Sequence, residues 1–518
     1  MATVREVTLD LLRRLEMTRI FGNPGSTELP MFRDFPADFD YVLGLQESTV
    51  IGMADGYAQA TRNAALVNLH SSAGVGHAMG NLFTSFKNQT PLVVTAGQQA
   101  RSILPFEPFL HADRPTEFPR PFVKWACEPA RAADVPRAIA RAYHVAMTPP
   151  FGPTFVSVPV DDWDQEGEAV DIRTIATANP GDPAALAQLA AALEKAERPA
   201  LVLGAGAARD GAWEAAIRFA EIHGAEVYAA PFACRNAFPE DHPRFAGFLR
   251  ASRSDIVEQL ARHDLALVVG GPLNLYHTEA DGPHVPADLV LWLIDDNPAV
   301  LSWAPSGRAI LANSRMALES LARRSSPAPR VVSAVRDPVV PPPGDRMTDR
   351  LAMHRIAALR PAKSVVVEEA PSSRDALHDL LPILRADGFY TTASGGLGYG
   401  LPAAVGIAMA RPGERVIALI GDGSAMYSIQ ALFTASRLGL PFSVLVIANR
   451  RYEALESFGR HFGLRKVEGT DLTGLDFCAL AAGHDMAARR AETPEALDAA
   501  LAWSFAANEP TLVEIVVD

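Results

Sequence analysis

No part of this chain restricts its fold more than the stretch from Val416 to Arg451. The apolar run Val416-Ile417-Ala418-Leu419-Ile420 meets Gly421-Asp422-Gly423-Ser424, a helical pattern begins near Ala425, and a second apolar run, Phe442 to Ile447, ends at Ala448-Asn449-Arg450. Strand, tight turn, helix and strand in that order predict two adjacent parallel strands. Asp422 and Asn449 then lie at the carboxyl ends of those strands, where open α/β sheets bind ligands. Asp422 supplies a carboxylate, Asn449 a neutral carbonyl, and the irregular backbone after it can turn a further carbonyl inward. That donor set suits a hard cation such as Mg²⁺, with its other positions left to phosphate and water. Gly421 and Gly423 let backbone approach a phosphate, and a helix N-terminus aims N–H groups at it.

A chain of 518 residues exceeds one core of ordinary size and suggests three domains. Helical patterns alternate with apolar runs throughout: Tyr41 to Leu45, Ala64 to Leu69, Pro91 to Ala96 and Thr154 to Val158 in residues 1–178; Pro199 to Leu203, Glu226 to Tyr228, Leu265 to Val269 and Leu289 to Ile294 in 183–325; Ser364 to Glu368, the two runs above and Thr511 to Val517 in 349–518. This alternation predicts an α/β fold of three doubly wound, mostly parallel sheets. Asp161 to Glu168, followed by Asn179-Pro180-Gly181-Asp182-Pro183, loses periodicity and reads as a linker. Residues 325–348, rich in proline, read as a second one. Gly204-Ala205-Gly206-Ala207-Ala208-Arg209 begins like a dinucleotide fingerprint but has Arg where the third glycine belongs, so a tight strand-to-helix turn is expected there.

The formal net charge of −13, with no long Lys/Arg run, argues against a nucleic-acid partner. No apolar run approaches the roughly 20 residues that span a bilayer. The N-terminus, with Arg5, Glu6, Asp10, Arg13 and Arg14 spaced among Val and Leu, reads as an amphipathic helix rather than a signal peptide. A cytoplasmic protein without membrane contact is the expectation. Cys127, Cys234 and Cys478 are far apart with no CxxC, and are expected as buried small apolar residues.

The Gly421-Asp422-Gly423 triplet and Asn449, separated by a helix and a strand, resemble the diphosphate-and-metal motif of thiamine-diphosphate enzymes. Two departures stand out: Ala448 where Asn is frequent, and Met426 where a polar residue is common. The resemblance sharpens to the benzoylformate decarboxylases and extends over essentially the whole chain. It rests on FGNPGSTELP at 21–30, LQES at 45–48, IGMADGYAQA at 51–60, NLHSSAG at 68–74, PLVVTAGQQ at 91–99, VKWACEPA at 123–130, VSVPVDDWD at 156–164, LYH at 275–277, GGLGYGLPAAVG at 395–406 and GDGSAMYSIQAL at 421–432.

The resemblance implies a pyrimidine-binding domain (1–178), a middle domain (183–325) and a diphosphate-binding domain (349–518). It implies thiamine diphosphate and Mg²⁺ as cofactors, and non-oxidative decarboxylation of an aromatic 2-oxo acid to aldehyde and CO₂. In this family active sites form between chains, so a homo-oligomer, a dimer of dimers, is expected. By position, Asp422, Asn449 and the Arg451 backbone carbonyl would hold the metal. Asn23, Gly25, Gly395, Leu397, Gly421, Gly423, Ser424, Tyr427 and Tyr452 would contact the cofactor, Leu397 as the bulky residue that keeps it bent. Glu47, seven residues ahead of Ala54-Asp55-Gly56-Tyr57-Ala58 and just after a strand, would hydrogen-bond the aminopyrimidine ring. A Glu in a first helical turn is also favoured by the helix dipole alone.

Ser26 would bind the substrate carboxylate, and His70 and His277 would relay protons. A lone histidine is more often structural, but His70 sits beside Ser71 and Ser72 at a sheet's carboxyl edge, where an imidazole could protonate an intermediate near neutral pH. His277 rests on the family match. Phe109, Leu110, Thr391, Ala454 and Phe458 would form the acyl pocket, with Thr391 standing where the family has an aromatic ring. Arg450 and Arg451 replace small residues beside the metal loop. Thr391 keeps open an alternative, decarboxylation of another 2-oxo acid or carboligation of aldehydes through the same intermediate. A non-catalytic binding protein is a second alternative, against which Ser26, Glu47 and His70 together speak.

Overall fold

The computed structural model describes residues 2–324, 340, 342 and 346–518, so most of the proline-rich linker expected at 325–348 falls outside the described residues. The chain divides into two compact units. One comprises Met1–Ile175, Gly344–Arg374 and Ser394–Asp518, the other Ala176–Pro343 and Asp375–Ala393.

The first unit contains two parallel sheets. The N-terminal one runs in the order Asp40–Leu43, Arg19–Gly22, Ala65–Leu69, Leu92–Gln98, Thr154–Pro159, Ala126–Cys127. Parallel neighbours need crossovers, and the helices Glu47–Thr61, Ser71–Asn88 and Val135–Ala146 supply them. In the C-terminal sheet, Ser364–Glu369, Arg415–Gly421, Phe442–Ala448, Thr511–Val516 and Ala487–Ala491 pair in that order. Val416 to Ile420 and Phe442 to Ala448 are buried throughout. Strands covered on both faces read as unbroken apolar runs, which is why the sequence reveals them. Short strands such as Arg19–Gly22, Ala126–Cys127 and Ala487–Ala491 carry no such run. The amphipathic N-terminus is the helix Val4–Arg14, started by a capping box between Thr3 and Glu6.

One local expectation is corrected. The helix after the glycine triplet starts at Asp422 rather than near Ala425, stops at Met426, and resumes as Ala431–Leu438. Between the two pieces the hydrogen bonds tighten to the i→i+3 pattern, with Ser428 N–H donating to Ala425 and Ala431 N–H to Ser428.

Helices Glu47–Thr61 and Gly400–Ala410 meet at backbone distance. A Cβ on Gly56 would lie 2.1 Å from the Ala403 carbonyl oxygen, and one on Gly406 only 1.9 Å from that of Met53. A polar seam lies within this contact: Asp55 Oδ1 accepts from Gln59 Nε2 at 2.6 Å and from Tyr399 Oη at 2.9 Å. Complete burial pushes the Asp55 carboxyl above the ordinary range.

The second unit is built on the sheet Arg308–Leu311, Val290–Asp295, Leu265–Val269, Pro199–Leu203, Glu226–Ala229, Phe245–Phe248. Its two faces carry separate apolar clusters, one around Leu201, Leu267 and Phe219, the other around Val202, Val268 and Ile256. Gly204 and Gly206 form the expected strand-to-helix turn. Their N–H groups, which a phosphate would need, donate instead to Val269 O at 2.9 Å and Gly270 O at 2.7 Å. Of the cysteines only Cys234 is buried; Cys127 and Cys478 are half-exposed, which corrects that expectation.

Candidate active site

The carboxyl edge of the C-terminal sheet gathers the first group of residues. Asp422 leaves the strand Arg415–Gly421 directly into a single helical turn, and its carboxylate is buried. Oδ1 accepts the Gly423 N–H at 2.7 Å and Oδ2 the Arg450 N–H at 2.6 Å. The second bond draws the Asn449–Arg450 turn, at the end of the neighbouring strand, onto the Asp422 carboxylate. Arg450 reaches this turn with φ of +61°, in the left-handed region. Asn449 Oδ1 accepts the Arg451 N–H at 3.2 Å. Burial pushes the Asp422 carboxyl above its ordinary range, a cost that a bound cation would relieve.

Around this edge glycines let two tyrosines approach the backbone closely. Gly423 admits no side chain, since a Cβ would fall 2.2 Å from the Tyr452 ring, and one on Gly398 would fall 2.8 Å from Tyr427 Cβ. The Gly395–Gly398 turn, Gly421, Ser424, Tyr427 and Tyr452 therefore flank one motif. Tyr427 is exposed and Leu397 half-buried, and among the described residues nothing lies within 4 Å of where a Cβ on Gly395 would stand. In the following turn Ser428 Oγ and Gln430 Oε1 are buried without a hydrogen-bond partner among the described residues. The buried Asp422 carboxylate and the Asn449 side-chain oxygen, at the ends of neighbouring strands, are donors that fit a divalent cation. Arg451 Nε is paired with Glu453 at 2.7 Å, and the Arg450 side chain is exposed.

The second group lies at the carboxyl edge of the N-terminal sheet. Glu47 is the first residue of its helix, 8% exposed, with His77 Nδ1 3.1 Å from its Oε2. His70 is the N-cap of the helix Ser71–Asn88. The next residue, Ser71, has φ of +47° and donates its hydroxyl to Leu110 O at 2.8 Å, and Leu110 itself has φ of +70°. Two non-glycine residues in left-handed conformation thus tie the His70 turn to the Phe109–Leu110 loop. Such strain survives only where its surroundings hold it, and it gathers at functional sites. Phe109 is 89% exposed. Asn23, Gly25 and Ser26 occupy the turn that leaves Arg19–Gly22, with Ser26 exposed.

Sequence reasoning missed two neighbours of this edge. Glu28 is 1% exposed and its Oε2 lies 2.9 Å from His70 Nδ1. His77 is the partner of Glu47. The only signal for Glu28 was its place in Gly25-Ser26-Thr27-Glu28, and His77 had none beyond one helical face with Gly74 and Gly80.

The remaining candidates fall in both units. Ala454 and Phe458 are half-buried on the helix Glu453–His461 of the first unit. Thr391 and His277 belong to the second unit. Thr391 is 3% exposed and its N–H donates to Cys234 O at 2.9 Å. His277 is exposed, with its N–H on Ala251 O at 2.9 Å and its ring edge-on to Phe232 at 5.5 Å between centroids.

The chain is similar to known proteins along its full length. Residues 2–114 match the N-terminal thiamine-pyrophosphate-binding domain of thiamine-pyrophosphate enzymes, 186–321 the central domain and 372–515 the C-terminal thiamine-pyrophosphate-binding domain. A benzoylformate decarboxylase of Pseudomonas aeruginosa is 39% identical over 99% of both chains. The crystal structure of benzoylformate decarboxylase from Polynucleobacter necessarius superposes with a TM-score of 0.97 at 38% identity, covering 100% of this chain and 99% of that one. A thiamine-diphosphate-dependent 4-hydroxybenzoylformate decarboxylase of Rhodococcus jostii RHA1 superposes with a TM-score of 0.96 at 39% identity and the same coverage.

Proposed function

The chain belongs to the benzoylformate decarboxylase family of thiamine-pyrophosphate enzymes, and from that premise we propose that this thiamine-diphosphate-dependent 2-oxo acid decarboxylase takes an aromatic substrate of the benzoylformate kind and requires Mg²⁺. The observation that supports the reading is the Asp422 carboxylate receiving the Arg450 N–H at 2.6 Å, which draws together at one sheet edge the two strand ends that would supply the cation's ligands.

Asp422, Asn449 and the Arg451 carbonyl would hold the Mg²⁺. Gly395, Gly421, Gly423, Ser424, Tyr427 and Tyr452 would receive the diphosphate half of the cofactor, Asn23 and Gly25 would contact its other end, and Leu397 would support it. When bound, thiamine diphosphate supplies the nucleophile and the electron sink for loss of CO₂. Glu47 hydrogen-bonds the aminopyrimidine. Ser26 holds the substrate carboxylate with its exposed hydroxyl. His70 delivers and accepts protons at Nε2, and His277 is assigned a second transfer. Phe109, Leu110, Ala454 and Phe458 exclude water from the acyl group, and Thr391 in place of an aromatic ring broadens what that pocket takes.

Residues 1–178 are assigned to pyrimidine recognition, 183–325 to the middle domain and 349–518 to diphosphate and metal. A homotetramer in the cytoplasm, with sites formed between chains, completes the proposal. Among the described residues no helix is long and apolar enough to cross a membrane. The test is kcat/KM over a panel of aromatic, branched and straight-chain 2-oxo acids. A preference for benzoylformate supports the reading. A preference for a short-chain acid, or aldehyde coupling without CO₂ release, moves the function to the alternative that Thr391 keeps open.

A further inference from the structure

We propose that Glu28 is the positioning residue of His70: a buried carboxylate that fixes the imidazole as the Nδ1–H tautomer, so that Nε2 faces the reaction with its lone pair. This deepens the assignment of proton transfer to His70 and rests on it.

Glu28 is 1% exposed, yet each of its oxygens has donors. Oε2 accepts the Gly25 N–H at 2.9 Å and lies 2.9 Å from His70 Nδ1. Oε1 accepts the Gly97 N–H at 3.0 Å and the Thr27 hydroxyl. Two of these donors are backbone amides, which cannot reverse their polarity. The Thr27 proton is committed to Glu28, so Thr27 Oγ1, 3.1 Å from His70 Nδ1, presents a lone pair to the same nitrogen. Nδ1 therefore faces two acceptors and must carry the hydrogen. The other ring nitrogen is left to act, and the His70 side chain keeps 22% of its surface open.

Two glycines make the slot. A Cβ on Gly25 would lie 2.0 Å from His70 Nδ1, and one on Gly97 would lie 2.1 Å from Glu28 Oε1. The turn after Arg19–Gly22 and the end of Leu92–Gln98 thus approach His70 and Glu28 as closely as backbone can. A carboxylate that orients a histidine through Nδ1–H is a recurrent device for setting which nitrogen transfers protons. An ion pair retained only for stability needs neither the second acceptor on Nδ1 nor the two bare backbones.

The test is nitrogen NMR of ¹⁵N-histidine-labelled full-length protein, with His70 assigned by the signal missing in H70A. The neutral ring is expected as Nδ1–H in the wild type; an Nε2–H ring there overturns the proposal without any variant of Glu28. In E28Q, the amide on the Oε2 side would oppose the Nδ1 hydrogen, and the tautomer is expected to reverse. A double-mutant cycle supplies the kinetic arm. E28Q should lower kcat on the order of 10²-fold with KM within a few fold, and E28Q/H70A should be no slower than H70A. Additive losses, or an unchanged tautomer in E28Q, overturn the positioning role while leaving His70 in place. An H70A enzyme with wild-type turnover overturns the His70 assignment and the proposal with it.

Discussion

At Asp422 a single carboxylate organises two strand ends. Its oxygens already receive the N–H groups of Gly423 and Arg450, and burial holds its carboxyl above the ordinary range. D422N keeps the shape but not the charge, so it should bind neither Mg²⁺ nor diphosphate. The wild type at about 100 times Kd gains about 2.7 kcal/mol from ligand, seen as a rise in melting temperature. D422N should show none of that rise, and an undiminished one would remove Asp422 from the site. Glu47 separates binding from chemistry. E47A should retain the cofactor-induced rise in melting temperature and lose turnover by about 10³-fold. If the rise disappears as well, Glu47 supports the fold of its helix rather than the reaction.

Among the elements, the crossing of Glu47–Thr61 with Gly400–Ala410 holds the two sheets of the first unit together at backbone distance. In an isolated helix Gly→Ala would stabilise by about 1 kcal/mol. At Gly406 the new Cβ would stand 1.9 Å from the Met53 carbonyl oxygen, and overpacking costs about 1–3 kcal/mol or more. G406A should therefore melt several degrees lower; a higher melting temperature would mean that the helices do not touch there. In the second unit, the strand Val290–Asp295 ends on a carboxyl that burial and the adjacent Asp296 push up to about 7. Its unfolded value is lower, so between that value and about 7 the folded chain binds the extra proton, and stability falls as pH rises. D295N does not titrate and can still accept the Asn297 N–H that Asp295 Oδ1 now receives at 2.7 Å. Its stability relative to wild type should grow from pH 5 to pH 8 in urea melts. A difference independent of pH would contradict the assignment.

Taken as a whole molecule, the chain was legible where its signals are local. The edge proposed for the diphosphate is contiguous in sequence: an apolar run, a glycine triplet, a second run and Asn449, each announcing the next. The fold class followed because strands buried on both faces leave unbroken apolar runs. Arg19–Gly22 escaped because four residues opening on arginine and closing on glycine make no such run. The helix break at Tyr427–Gln430 escaped because no proline or glycine marks it. Glu28, Gly97 and His70 were illegible as a set, since three different segments bring them together and no spacing connects them. The Gly204–Gly206 turn shows the reverse: a familiar pattern whose amides are already satisfied by Val269 and Gly270. The most direct test of the whole account is the release of CO₂ and benzaldehyde from benzoylformate by the full chain, with thiamine diphosphate and Mg²⁺ supplied and then withheld. The account predicts equal amounts of the two products, lost on withdrawal of either cofactor and regained on its return. Release that persists without thiamine diphosphate, or none from any 2-oxo acid with both cofactors bound, would contradict it.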